Sequence, residues 1–557
     1  MLREANLRRL AEESFDVLVV GGGVNGAVAA AALAARGART ALLERGDFAG
    51  ETSQASSNLA WGGVKYLESF EVALVRKLCR ARNELLRTYP STVQEIRFLL
   101  VHERGFRHSR AGIWAGTWLY WALGRFATRR PRLLSRAELE REEPAVDAAR
   151  ADGAVEYSDA YLHDNDARFT WGFVRSALDR GAAVANYVES LGASREGGAW
   201  VTRARDLDGG RELLVRSRLV VNACGPFADA YNALIGQRTR HRHVLSKGIH
   251  LLVDRLTPHR RVIAFFADDG RLFFVIPMGP KTCLGTTDTP TDSPEVRVTP
   301  EDRRFVLDNV NRRLRLPRPL GEDDVVAERC GVRPLAVEGE GAGGADWMQL
   351  SRRHVVEADP SSGVLTVFGG KLTDCLNVGE EVCAEVERMG VALPDRRRAW
   401  YGEPPAEVRD EYFLQARRIG LDAMTSPASS EPLSTRLWRR YGARALGLLD
   451  AIRADPAEAQ VLIENAEYLR CELELAARRE MVVRLEDFLR RRSKISQVVR
   501  REDVRDAQGL REACRLLFGE RAQERLLECF PELRGAEEAG WERRRVQGAT
   551  AAVPDPK

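Results

Sequence analysis

The chain has 557 residues, 44% hydrophobic and 30% charged, with 85 basic against 81 acidic side chains. That composition excludes a disordered chain, implies several domains, and leaves a net charge of +4 that gives nucleic acid nothing to be recruited by. Nine scattered cysteines without a CxxC pair point to reduced thiols in a cytoplasmic setting rather than a disulfide framework.

Residues 15–20 (FDVLVV) have the unbroken apolar run of a buried strand. GGGVNG and an alanine-rich helix ending near Gly37 follow, then a second strand over 40–44 (TALLE). This is a β-α-β unit opening a parallel, doubly wound sheet. Gly21, Gly23 and Gly26 fit GxGxxG between strand and helix. Glycine there permits a tight turn and lets backbone approach a pyrophosphate at the helix N-terminus. Glu44 ends the second strand, where a carboxylate accepts ribose hydroxyls and disfavours a 2′-phosphate. The uncharged run 17–35 is split by this turn, so it reads as strand, turn and helix and not as a membrane span.

Residues 52–68 (TSQASSNLAWGGVKYLE) form a polar segment beyond the ribose-binding strand. Only seven of the basic residues are lysine, and Lys65, Lys247 and Lys371 fall in the segments richest in glycine, serine and threonine. A compact ammonium at those places differs in reach and geometry from the arginine used elsewhere. Residues 70–145 read as helical and dotted with charge. Within them, 111–124 (AGIWAGTWLYWALG) sets three tryptophans between Arg107, Arg110, Arg125, Arg129 and Arg130. That is the pattern of an interfacial helix, too short to cross a bilayer; a helix packed inside the protein is the other reading.

Residues 170–221 return to helix, strand and hairpin, ending in RLVVNACGP. Over 244–290 strands alternate with turns, which predicts an antiparallel sheet. The strand 364–368 meets GGKLTD and a helix, a second strand–glycine–helix junction whose dipole suits the pyrimidine end of a flavin. No second GxGxxG offers a separate NAD site, so FAD is the expected cofactor, and no metal is expected. From about 400 the pattern is amphipathic helix, closing in a disordered tail over 536–557.

DVLVVGGGVNG, ETSQASSNLAWGGVKYLE, KGIH, GTTD, GVRPL, SRRH and FGGKLT occur in this order, and LEDFLRRRSKI follows near the end. Together they resemble the FAD-dependent, quinone-reducing glycerol-3-phosphate dehydrogenases, over about 14–380 and more weakly beyond. The resemblance implies an α/β fold: a discontinuous FAD-binding domain of the glutathione-reductase type (14–80, 155–232 and 346–395), an antiparallel substrate domain (81–154 and 233–345), and a C-terminal helical domain (396–535). It implies FAD contacts at Gly21, Gly23, Gly26, Glu44, Thr52, Ser53, Ser57, Asn222, Ala223, Gly225, Gly370, Lys371 and Thr373. Substrate contacts fall at Lys65, Tyr66, His250, Arg333 and Arg352, with His250, Arg333 and Lys371 at the reacting centre.

The expected reaction is oxidation of sn-glycerol 3-phosphate, or a related small anionic alcohol, to the ketone by hydride transfer to flavin N5, with electrons passing to quinone. The chemistry fits the residue types: arginine binds a phosphate monoester with forked hydrogen bonds, and a histidine can take the hydroxyl proton. Peripheral contact with the inner face of the cell membrane and a homodimer are compatible with this picture. Three positions depart from the family pattern: Asn58 stands for lysine, Trp61 for histidine and Lys65 for arginine. After FGGKLT, Asp374, Cys375 and Leu376 replace threonine, tyrosine and arginine, and Asp374 is expected to weaken phosphate binding. These departures keep two other readings open: an oxidase or dehydrogenase of another small alcohol or amine, and a low-turnover flavin-binding paralogue.

Overall fold

The computed structural model describes residues 2–267, 269–339, 353–427 and 429–534. Strand Ser14–Val20 lies between Thr40–Leu43 and Glu212–Asn222, parallel to both. Covered on both faces, it has no solvent side, which is why its sequence is continuously apolar. Val364–Phe368 extends the parallel order on one flank and Ala183–Ala185 on the other; Val355–Asp359 adds an antiparallel edge. The hairpin Val188–Glu196/Ala199–Asp206 hangs from Glu212–Asn222. Helix Val24–Ala35 is buried nearly all round, with helices Asp166–Asp179 and Cys375–Arg388 both against it. Small alanine side chains let those backbones approach closely.

Among the described residues the second sheet has ten strands. Its pairings are antiparallel except one: Arg261–Phe266 runs parallel to Val93–Glu103. That second strand corrects the expectation of a helical stretch over 70–145. The region instead holds helix Val72–Thr88, strand Val93–Glu103, helix Arg110–Leu123, strand Arg132–Ser135 and helix Arg136–Glu142. Charge hid the strand, since Arg97 reads as solvent-facing but is buried against Glu156 at 2.7 Å. The partner strand Ala151–Leu162 runs unbroken in this sheet, so the boundary expected at 154/155 falls inside a strand. Leu59–Ala60 also pairs with it, which places the middle of the 52–68 segment on this second sheet.

The C-terminal part is helical from Ala406, around two apolar cores, one near Leu437 and Leu449 and one near Leu485 and Leu510. It is tied back to the first sheet by charge. Arg492 reaches Asp47 with both terminal nitrogens at 2.8 Å, and Arg491 Nε lies 2.6 Å from the same carboxylate, all of it buried. The tail expected from 536 lies outside the described residues.

Candidate functional site

At the first glycine turn, Gly21 has φ +106, and a Cβ there would overlap the Ala223 carbonyl oxygen. A Cβ at Gly26 would overlap the carbonyl oxygen of Gly21. The turn is therefore open to a ligand only because side chains are absent. Gly22 N–H donates to Glu44 Oε2 at 2.6 Å and Gly46 N–H to Oε1 at 2.7 Å. Burial pushes the Glu44 carboxyl up, and those two donors oppose the shift. Ser53 accepts from Val24 N–H at 2.9 Å, at the N-terminus of helix Val24–Ala35, where Gly23 is the cap.

Asn25, which pattern reading passed over, joins the two glycine junctions. Its amide donates to the Gly369 carbonyl at 3.0 Å, and a Cβ on Gly370 (φ +111) would lie 3.1 Å from it. Gly225 (φ +55) faces open space beside Ala223. Asn222 and Thr52 are both held within the protein. The Asn222 amide donates inward to Ala228 and Asn232, and its oxygen accepts from Cys224 N–H. Thr52 donates to the Val332 carbonyl at 2.6 Å, tying the loop to strand Val325–Glu338. Ser57 stands between Ser56, whose N–H donates to Asp166, and buried Asn58.

The face expected to meet substrate follows strand alternation. In His241–Asp254, positions 248, 250 and 252 share one face, and the register opposes His250 to Arg329 and Ser246 to Arg333 in Val325–Glu338. Arg333 lies across Gly248, where any Cβ would strike its guanidinium, and donates to the Thr287 carbonyl at 3.1 Å and Thr286 Oγ1 at 2.7 Å. The KGIH and GTTD motifs thus meet at Arg333. Lys247, on the opposite face, is spent on Asp302 at 2.6 Å. His250 is 3% exposed, and neither ring nitrogen has a hydrogen-bond partner among the described residues. Burial, then the positive charges of Arg329 and Arg333, holds its pKa well below the usual imidazole range. A neutral imidazole keeps an acceptor lone pair.

The opposite wall is the segment 61–68. Trp61 and Tyr66 pack against the apolar cluster that includes Leu252, Phe274 and Cys283, with Trp61 edge-on to Phe274. Tyr66 accepts from Lys371 Nζ at 2.5 Å, and the ammonium sits 4.0 Å from its ring centroid. Lys65 precedes it in the turn Val64–Leu67. Thr373 donates to the Trp61 carbonyl at 3.2 Å. Behind the wall, the buried Asp159 carboxylate takes the Gly62 N–H at 3.1 Å, the Tyr120 hydroxyl at 2.6 Å and Arg82 at 3.3 Å. Arg352 lies outside the described residues.

The departures resolve by geometry. Asn58 (φ +58) donates to the Leu162 and Asp164 carbonyls and accepts from Arg329, so it braces the sheet face from beneath. Trp61 donates to Tyr157 at 3.3 Å and forms apolar floor. Asp374 turns away from the site: it accepts from Asn377 and lies 2.7 Å from His354 and 3.6 Å from Lys77. Its charge therefore has partners of its own within the protein.

The glycine cradle, the acid closing the second strand and the unpartnered buried imidazole fit a dinucleotide with a reactive ring between the two sheets. Residues 16–376 match the family model described as FAD dependent oxidoreductase, and residues 411–514 that of the C-terminal domain of alpha-glycerophosphate oxidase. Glycerol-3-phosphate dehydrogenase 2 of Mycobacterium tuberculosis is 33% identical over 500 residues, 88% of this chain and 82% of that protein. The aerobic glycerol-3-phosphate dehydrogenase of Staphylococcus epidermidis is 28% identical over 87% of this chain and 88% of its own length. Among solved structures, the glycerol-3-phosphate dehydrogenase of Bacillus halodurans complexed with FAD superposes with a TM-score of 0.71 at 25% identity, covering 96% of this chain and 97% of that one.

Proposed function

The chain belongs to the FAD-dependent oxidoreductase family, of the glycerol-3-phosphate dehydrogenase type, and from that premise we propose how its residues carry the reaction. It is an FAD-dependent enzyme that oxidises sn-glycerol 3-phosphate to the ketone. The observation that best supports the assignment of roles is the shared face that sets Arg333 beside an unpartnered, buried and neutral His250.

Arg333 and Lys65 hold the phosphate, the first by forked hydrogen bonds and the second as a point charge. Tyr66 and Lys371 close the far side of the substrate, and His250 takes the C2 hydroxyl proton on its free nitrogen. FAD held by these residues would supply the acceptor for the hydride that leaves C2. Trp61, Phe274 and Leu252 exclude water from the reacting carbon, so the imidazole is not solvated by competing donors. Gly21, Gly23, Gly26, Glu44 and Ser53 hold the dinucleotide end; Gly225, Gly370, Lys371 and Thr373 line the rest.

Electrons leave to a membrane quinone, and the helix Arg110–Leu123 supplies the contact. Thr117 and Tyr120 are its buried residues, while Trp118 and Leu119 and the nearby Phe126 are exposed. The helix packs on Val64–Leu67, so a membrane on its outer side lies behind the substrate wall. Among the described residues no helix is long and apolar enough to cross a membrane. Leu119→Asp with Phe126→Asp is expected to abolish cosedimentation with acidic phospholipid vesicles while leaving flavin content unchanged; undiminished cosedimentation refutes this face.

The reaction is tested by steady-state turnover with a soluble quinone as acceptor. Turnover is expected with sn-glycerol 3-phosphate and not with glycerol or glycine. Equal efficiency with an unphosphorylated substrate would remove the anion site from the account. Gly26→Ala is expected to purify with little flavin, seen as loss of visible absorbance relative to protein absorbance, because the added methyl has no place beside Gly21.

A further inference from the structure

His354 lies just before strand Val355–Asp359 and is buried, with its two ring nitrogens held between two carboxylates. Nδ1 is 2.7 Å from Asp374 Oδ2 and Nε2 is 2.9 Å from Glu381 Oε2, as ion-pair contacts in which neither nitrogen has the geometry of a hydrogen bond. A neutral imidazole has one N–H and one lone pair, so one of these carboxylates would face a lone pair. Two flanking anions therefore favour the doubly protonated ring. Burial opposes that charge, but Asp374 and Glu381 outweigh it and raise the His354 pKa above its ordinary value. Glu381 in turn is drawn down to about 2, chiefly by His354.

The charged groups facing the ring come from two elements. Asp374 closes the turn Leu372–Asp374 and Glu381 sits on helix Cys375–Arg388, while Lys77 of helix Val72–Thr88 approaches both, at 3.6 and 3.1 Å. Two cations and two anions close on themselves. The same turn carries both ties to the substrate wall, Lys371 to Tyr66 and Thr373 to the Trp61 carbonyl. Asp374 is the next residue after Thr373 and three beyond Lys371.

We propose that protonated His354 is a positioning residue: through Asp374 it fixes the Lys371–Thr373 turn against the Trp61–Tyr66 wall, so that substrate binding follows the charge of a ring that never touches substrate. The proposal rests on the reading of the substrate site given above. The contribution is complete below the ordinary imidazole pKa of about 6.5 and is lost as pH rises through the raised folded value. Above it the ring donates to one carboxylate at most, Lys77 alone faces both, and the turn loosens. KM for the phosphate substrate rises; kcat changes less, because His250 is untouched.

The test is NMR of the holoenzyme carrying isotope-labelled histidine, with the KM–pH profile measured beside it. The chain has eight histidines, and His354→Gln identifies the resonance. The His354 signal is expected to titrate above its ordinary value, with KM rising at the same midpoint. In His354→Gln, KM should be raised about tenfold and lack that inflection, within the ~100-fold that misplacing a binding group can cost. A signal that titrates at or below the ordinary value overturns the proposal, as does a His354→Gln profile that superimposes on the wild type. Should His354→Gln fail to fold, Glu381→Gln, at a half-exposed position, keeps the test: the signal and the KM inflection must move down together, and an inflection that stays put refutes the coupling. If the substrate assignment were wrong, the titration would still read out while the enzyme showed no glycerol 3-phosphate KM, which separates the two failures.

Discussion

Arg333→Ala should leave flavin bound and lower kcat/KM for sn-glycerol 3-phosphate by two to three orders of magnitude. The guanidinium is placed by two strands, with Gly248 making room and Thr286 and Thr287 fixing its direction. A hydrogen bond to a charged group is worth about 1.5–3 kcal/mol, and a forked pair to phosphate uses two of them. At ~1.4 kcal/mol per tenfold, removal costs roughly 100- to 1,000-fold. Arg333→Lys keeps the charge without the fork and should fall between. The dinucleotide turn is on the other sheet, so visible absorbance per protein should not change. Stopped-flow reduction under anaerobic conditions measures this; unaltered reduction in Arg333→Ala would refute the anion-site assignment.

The second large effect is on stability. Arg492→Met is expected to cost up to about 3–5 kcal/mol, because it removes one of the two guanidiniums that offset the buried Asp47 carboxylate and leaves Arg491 alone against it. Asp47 is fully buried, three residues beyond Glu44, and Arg492 supplies two of its donors. Burial raises the Asp47 carboxyl, but Arg492 and Arg491 outweigh it and hold the pKa below the ordinary carboxylate value. That stabilisation is present above the unfolded pKa and is lost as pH falls through the folded one. The loop it anchors leads from the ribose acid to Ser53, so flavin should leave the variant at a lower temperature than the wild type. Thermal melts followed by flavin release give the shift. Asp47→Asn combined with Arg492→Met should recover part of it, since no unpaired charge remains. Equal melting of Arg492→Met and wild type would show that the C-terminal helices do not brace the cofactor loop.

Most of the first sheet was legible because its signals are local: an apolar run, a glycine turn, a helix and an acid within one short segment. KGIH, GTTD and GVRPL named residues that the fold brings together, while only the three-dimensional packing shows that Gly248 is the seat of Arg333. Pairs distant in sequence leave no local trace. Asn25 meets Gly369 and Arg492 meets Asp47 across hundreds of residues. Val93–Glu103 was missed for a physical reason: a strand containing Arg97 and Glu95 looks exposed until its buried partner Glu156 is known. Asp374 is a further case: nothing local in the sequence shows its neighbours, and only the fold brings His354 and Lys77 to it.

The central claim is that one sheet face oxidises a phosphorylated secondary alcohol against bound FAD. Its most direct test is anaerobic mixing of the purified protein with sn-glycerol 3-phosphate while the visible band of the oxidised flavin is followed. The account predicts complete loss of that band in a saturable phase, with none on adding glycerol. A band that persists with sn-glycerol 3-phosphate but is lost with an unphosphorylated alcohol or an amine would contradict it.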